Sequence, residues 1–196
     1  MRIVSIVLLL AGCSSGNAQS DMAPPDLKPL RVMFVTQTQY TGNLGGLPGA
    51  DSDCAGSAAT AGLPGDSSAW VAWLSDSSMD AIDRIPDVGP WARTDGMVAF
   101  NSKADLMKTP SVALDVDEFM TVHHVVNVWT GTALGGQAAP GGMAATCQDW
   151  TTDNPNNVTP APLGVTGSTD FKDAQWTNQV SRPCSELHSL YCFQIM

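Results

Sequence analysis

Catalytic signatures are missing from this sequence. It has no Gly-x-Ser-x-Gly elbow, no His-Glu-x-x-His helix and no phosphate loop, so hydrolase, zinc-protease and nucleotide chemistry have no motif to rest on. Basic residues are scarce: 9 Lys and Arg stand against 19 Asp and Glu, a net charge of −10. A surface this acidic repels phosphate backbones and anionic glycans over a Debye length, which argues against nucleic acid as a partner. Charged residues make up only 14% of the chain, unlike a helical cytosolic protein. The apolar run at the N-terminus is about ten residues, half of the ~20 that a membrane span needs.

What is present points outside the cytoplasm. Glycine and proline number 18 and 13, and 43% of the 196 residues are apolar, enough for the core of one loop-rich domain. Arg2 supplies a positive start, Ile3 to Leu9 an apolar stretch, and Leu10-Ala11-Gly12-Cys13 closes it. This resembles the bacterial lipoprotein signal at all four lipobox positions. It implies cleavage after residue 12 and a lipid chain on Cys13, which would anchor the protein to a membrane. Ser14 after that cysteine suggests the bacterial outer membrane or cell surface. Residues 13–30, polar and carrying Pro24, Pro25 and Pro29, read as a lipidated tether, and residues 31–196 as the domain. Four cysteines remain there, Cys54, Cys147, Cys184 and Cys192. An even count in an exported chain implies two disulfides, with three pairings open.

Along the domain, Arg31 to Thr36 reads as a buried strand. Thr41 to Gly49 reads as a loop, then Asp51 or Ser52 as the cap of a helix of about ten residues. On it Ala50, Cys54 and Ala58 face a sheet, and Gly62-Leu63-Pro64 stops it. Trp70 to Leu74 is a second strand, and Asp80 to Ile85 a helical turn. Thr94-Asp95-Gly96 joins Trp91-Ala92-Arg93 to Met97-Val98-Ala99-Phe100 as a hairpin. Ser102 and Asp105 match a capping box for a short helix, Lys103 to Met107. Phe119 to Thr130 reads as strand. The expectation is a helix-poor α+β domain.

Ala72-Trp73-Leu74-Ser75, Val128-Trp129-Thr130-Gly131, Cys147-x-x-Trp150, and Cys184 with Leu190-Tyr191-Cys192 resemble the landmarks of endostatin, in the same order. The chain is more similar still to the bacterial endostatin-like domains of leptospiral surface lipoproteins. That second likeness runs through Tyr40 to Gly46, Trp91 to Gly96 and Leu190 to Phe193. The resemblance covers residues 31 to 194. It implies a C-type-lectin-like fold and nested disulfides, Cys54 to Cys192 and Cys147 to Cys184.

Candidate sites are few. C-type lectins that bind sugar through Ca²⁺ use triplets such as Glu-Pro-Asn and Trp-Asn-Asp. Asn154-Pro155-Asn156 and Trp176-Thr177-Asn178 look similar but hold no carboxylate, leaving Asp153, Asn154, Asn156 and Asn178 as calcium candidates and Trp176 as core. Adjacent His123 and His124 on a strand would point to opposite faces and not share one ion, and Asp115, Asp117 and His123 could supply an Asp and His pair. Endostatin's arginine-based heparin binding has no counterpart among the isolated Arg84, Arg93 and Arg182. With every domain cysteine spoken for, no thiol nucleophile remains, and neither an enzyme nor a bound cofactor is expected. The resemblance implies an adhesin-like, cell-surface binding module for extracellular proteins. The alternatives are a calcium-dependent lectin binding glycans and a ligand-free envelope lipoprotein. The loops Thr132 to Thr146 and Asp149 to Thr166 are the expected binding material.

Overall fold

A computed structural model describes residues 28–153 and 161–196. The expected signal segment, Cys13, most of the expected tether, and Asn154 and Asn156 lie outside those residues. The domain is α+β with a mostly sheet core. The described residues form eight strands: β1 (Arg31–Val35), β2 (Trp70–Ala72), β3 (Trp91–Arg93), β4 (Val98–Phe100), β5 (Asn127–Trp129), β6 (Leu163–Ser168), β7 (Val180–Pro183) and β8 (Ser189–Gln194). Among the described residues the right-handed α-helices are α1 (Gly46–Thr60), α2 (Ala81–Arg84) and α3 (Lys103–Leu106), with short 3-10 helices at Gly142–Ala145 and Ala174–Trp176. The strand order is β4-β3-β1-β8-β5-β6-β7, with β2 also on β8.

Strand β8 is the centre of this sheet, and all six of its residues are buried. One edge pairs antiparallel with β1, Phe34 opposite Cys192. The other edge is shared: β2 runs antiparallel, Val71 opposite Phe193, and β5 parallel, Trp129 opposite Leu190. Side chains alternate across a strand, so β8 feeds two cores. Leu190 and Cys192 join Phe34, Trp70, Ala72 and α1 on one face. Tyr191 and Phe193 join Met33, Val35, Val71, Trp73 and α2 on the other. All six tryptophans are fully or nearly fully buried, Trp176 among them at 0% exposure. Its indole N–H donates to the Lys108 carbonyl at 3.0 Å, as expected for a core residue.

The small face of α1 acts as anticipated. Ala50, Cys54 and Ala58 are at most 1% exposed, and their size brings the helix close enough for Cys54 to bond Cys192 across a Cα separation of 5.4 Å. The second disulfide joins Cys147 to Cys184. Both pairings are those implied by the resemblance. The helix stops as expected: Gly62 takes a positive φ of 69°, and the N–H groups of Leu63 and Gly62 bond the carbonyls of Ala58 and Ala59 in a Schellman arrangement.

Its start differs. The helix runs for 15 residues from Gly46, with Gly45 at φ 76° turning the chain into it and no side-chain cap. Pro48 is tolerated because it occupies the first turn, where the backbone N–H has no intrahelical partner. Asp51 lies inside the helix and accepts from Arg84 Nη2 at 2.6 Å on both oxygens and from the Ala72 N–H at 2.9 Å.

The hairpin is present, with Arg93 N–H bonded to the Met97 carbonyl and Gly96 at φ 87°. Ser102 precedes α3, but its side chain makes no cap bond. The strand expected over Phe119 to Thr130 is confined to Asn127–Trp129. Upstream of it the chain makes two turns, with Met120 at φ 66° and Val125 at φ 54°. Fully buried Asp117 causes the first: its Oδ1 accepts from the N–H groups of Phe119 and Thr121, both at 2.8 Å. A carboxylate that offers acceptors to local N–H groups competes with a sheet ladder.

Cys147 to Trp150 form a left-handed turn, with φ of 49°, 54°, 56° and 62°. Trp150 N–H bonds the Thr146 carbonyl at 2.7 Å. A left-handed L-residue costs about 1–2 kcal/mol. The segment is held by the Cys147 disulfide, by buried Trp150, whose indole N–H donates to the Ser75 carbonyl at 2.8 Å, and by Asp149, which accepts from Ser77 N–H and Oγ at 2.9 and 2.7 Å. No helix among the described residues is long and apolar enough to cross a membrane.

Candidate functional site: an acidic cleft beside an apolar turn

A cleft of 380 Å³ opens between the outer face of α1, the segment after β1, and the turn at Glu118 and Phe119. Helical spacing builds its α1 wall: Asp53, Gly56 and Thr60 recur on one side of the helix. Gly56 is the open floor, since a Cβ there would meet nothing within 4 Å. Tyr40 comes from the stretch that leaves β1, fixed by its backbone pairing with His188 at 2.8 and 2.9 Å.

Opposite stands Glu118, 5% exposed. Its Oε2 accepts from the Gln37 N–H at 3.0 Å. Burial pushes its carboxyl above the ordinary range, and the neighbouring charge of Asp117 adds to this. Burial likewise raises Asp53. The Tyr40 hydroxyl is raised by burial and by the charges of Asp53 and Glu118, against an opposing hydrogen bond with Ser57. These groups share one electrostatic condition: negative charge with too little water or donor to balance it.

The turn beside the cleft is apolar and exposed. Phe119, Met120, Val122 and Val125 are 47%, 65%, 49% and 74% exposed. The β-branched Val125 in left-handed conformation is an uncommon strain, of the kind that persists only where surroundings enforce it. Its N–H is held by Asp170 Oδ1 at 2.9 Å.

The residues singled out from sequence fall elsewhere. Asp153 Oδ2 is 3.4 Å from the Thr41 hydroxyl. Asn178 is exposed, its N–H bonded to the Ala174 carbonyl at 3.1 Å. His123 Nε2 lies 2.7 Å from Asp117 Oδ2, one of the Asp and His combinations the sequence offers. His124 faces different carboxylates, Asp115 and Asp170. The 132–146 loop is more tightly packed than its composition suggests: Thr132 and Thr146 are fully buried, and Ala139 and Ala145 pack with Val165. Asp53, Glu118 and the exposed turn were not singled out from sequence. The available signal was four apolar residues interleaved with polar ones after Glu118, which reads equally well as a strand.

No protein-family model matches the chain, and no curated protein is similar to it at a significant level.

Proposed function

We propose that this protein is an exported, lipid-anchored surface module of the endostatin-like, C-type-lectin-like class, which binds a basic segment of an extracellular protein and performs no catalysis. The observation that carries this reading is the acidic cleft set against an exposed apolar turn. Single exposed apolar residues are ordinary, whereas four within seven residues beside a polar cleft mark an interaction surface. Asp53 and Glu118 are carboxylates held above their usual range by burial. A lysine or arginine placed between them would supply the balancing charge that the protein withholds. A partner segment with a cation flanked by apolar side chains matches both features, and the net charge of −10 steers such a segment inward. The class assignment is supported by the two disulfide pairings and by the order of the tryptophan and cysteine landmarks.

The test uses the full chain in detergent micelles, immobilised and probed with extracellular-matrix proteins and a Lys/Arg-rich peptide at two salt concentrations. Asp53→Asn with Glu118→Gln is expected to weaken binding at least tenfold, and Phe119→Ser with Val125→Ser to a similar degree, with wild-type binding falling as salt rises. Both carboxamide changes remove a poorly solvated charge, so the melting temperature should not drop. Unchanged affinity in both double variants refutes the proposal.

A further inference from the structure

We infer that Asp115, His124 and Asp170 form a binding site for a divalent transition-metal cation, zinc foremost. Asp115 and His124, from the two sides of one short loop, and Asp170, distant in sequence, supply one ligand atom each, and these atoms lie within 4.8 Å of one another. His124 Nδ1 is 3.6 Å from Asp115 Oδ2 and 3.6 Å from Asp170 Oδ1. That separation is long for a hydrogen bond. It is close to the edge of a coordination tetrahedron, since bonds of about 2.0–2.1 Å put ligand atoms about 3.4 Å apart. One imidazole nitrogen and two carboxylate oxygens suit zinc, whereas calcium takes six to eight oxygens. Three protein ligands leave a fourth position for water or a ligand group.

The surroundings favour a cation. Arg93 donates to Asp115 Oδ1 at 2.6 Å, orienting that carboxylate and leaving Oδ2 for the ion. The same guanidinium is also paired with Asp95 at 2.5 Å, so its charge does not cancel the cluster. Independently, the Tyr191 hydroxyl is fully buried without a hydrogen-bond partner, within electrostatic reach of both Asp115 and Asp170, whose negative charges add to the effect of burial on it. The stretches carrying these three residues are already tied together: Leu114 N–H bonds the Thr169 carbonyl, His123 N–H the Asp115 carbonyl, and Thr169 Oγ1 donates to the His123 carbonyl. An ion would therefore meet a largely preformed site and clamp the apolar turn that ends at Val125.

The experiment is calorimetric titration of the full chain with zinc chloride, and separately with calcium chloride, on wild type, His124→Ala, Asp170→Asn and the control His123→Gln. His124 is 73% exposed, so its replacement leaves the fold intact, which a melting curve checks. One zinc per chain is expected in wild type and in the control. At least a tenfold loss is expected in His124→Ala and Asp170→Asn, and cobalt should give a tetrahedral visible spectrum that both variants lose. Absence of zinc binding in wild type, equal binding in all four proteins, or a preference for calcium overturns the inference. None of these outcomes bears on the acidic cleft, which shares no ligand residue with this site.

Discussion

Replacing Arg84 tests how α1 is locked to the sheet. Its Nη2 meets both oxygens of Asp51 at 2.6 Å, and its Nη1 donates to the carbonyls of Ala72 and Leu74 at 2.8 and 3.1 Å. The arginine side chain is 9% exposed and the aspartate 27%. Arg84→Met keeps the aliphatic stem but deprives one carboxylate and two carbonyls of their donor. Breaking a buried pair by removing one partner costs about 3–5 kcal/mol. Water reaching the partly exposed Asp51 recovers some of that, leaving about 2–3 kcal/mol. In a domain of this size the melting temperature falls by roughly 2–4 °C per kcal/mol, so a drop of about 4–12 °C is expected. Asp51→Asn retains an acceptor for the Ala72 N–H and should cost about 1–2 kcal/mol. The double variant should be more stable than the sum of the two losses implies, because the second change removes a group already orphaned. Calorimetric melts with both disulfides oxidised measure all three. A drop below about 1 °C for Arg84→Met, or strict additivity in the double variant, refutes the reasoning.

Two further outcomes follow from crowding and from proton linkage. Gly167→Ala sets a Cβ against the Trp176 carbonyl oxygen and within 2.8 Å of Thr177 Cα, so overpacking should destabilise the domain by about 1–3 kcal/mol, read from denaturant midpoints. His188 is held below its ordinary value by burial, against the smaller opposing pull of Glu186, and its ring meets Trp129 at a centroid distance of 4.5 Å. The unfolded chain therefore binds this proton more readily, and the His188 contribution, complete above about pH 6.5, is lost as pH falls below it. The stability difference between wild type and His188→Gln should shrink from pH 7 to pH 5. A difference independent of pH would contradict the assignment.

Much of the scaffold could be read from residue order, and the reasons are local. Gly62-Leu63-Pro64 stops α1 because a left-handed glycine and its neighbour close the last turn by themselves. Asp95-Gly96 likewise bends its hairpin without help from afar. The helix starts earlier than its capping residues indicate because a glycine in left-handed conformation, not a side-chain cap, begins it. Asp51 looked like a cap when its partner is Arg84, 33 positions away. Phe119 to Thr130 looked like a strand because the local pattern cannot show that Asp117 will be buried and will collect the N–H groups of Phe119 and Thr121. The cleft and the Asp115, His124 and Asp170 cluster were illegible for the same reason: each is assembled from segments that meet only once the sheet exists.

Strand β8 has a consequence for how the chain is made. Seven other strands precede it, yet it supplies the partner for β1, β2 and β5 together and half of the Cys54–Cys192 bond, which spans 138 positions. A nascent chain emerging from the ribosome has neither core closed until residues 189–194 arrive. Before then β1 has only β3 as a partner strand, and β2 has none. Strand sets β1-β3-β4 and β5-β6-β7 are complete without β8, but they join into one sheet, and Cys54 finds its partner, only with the last strand.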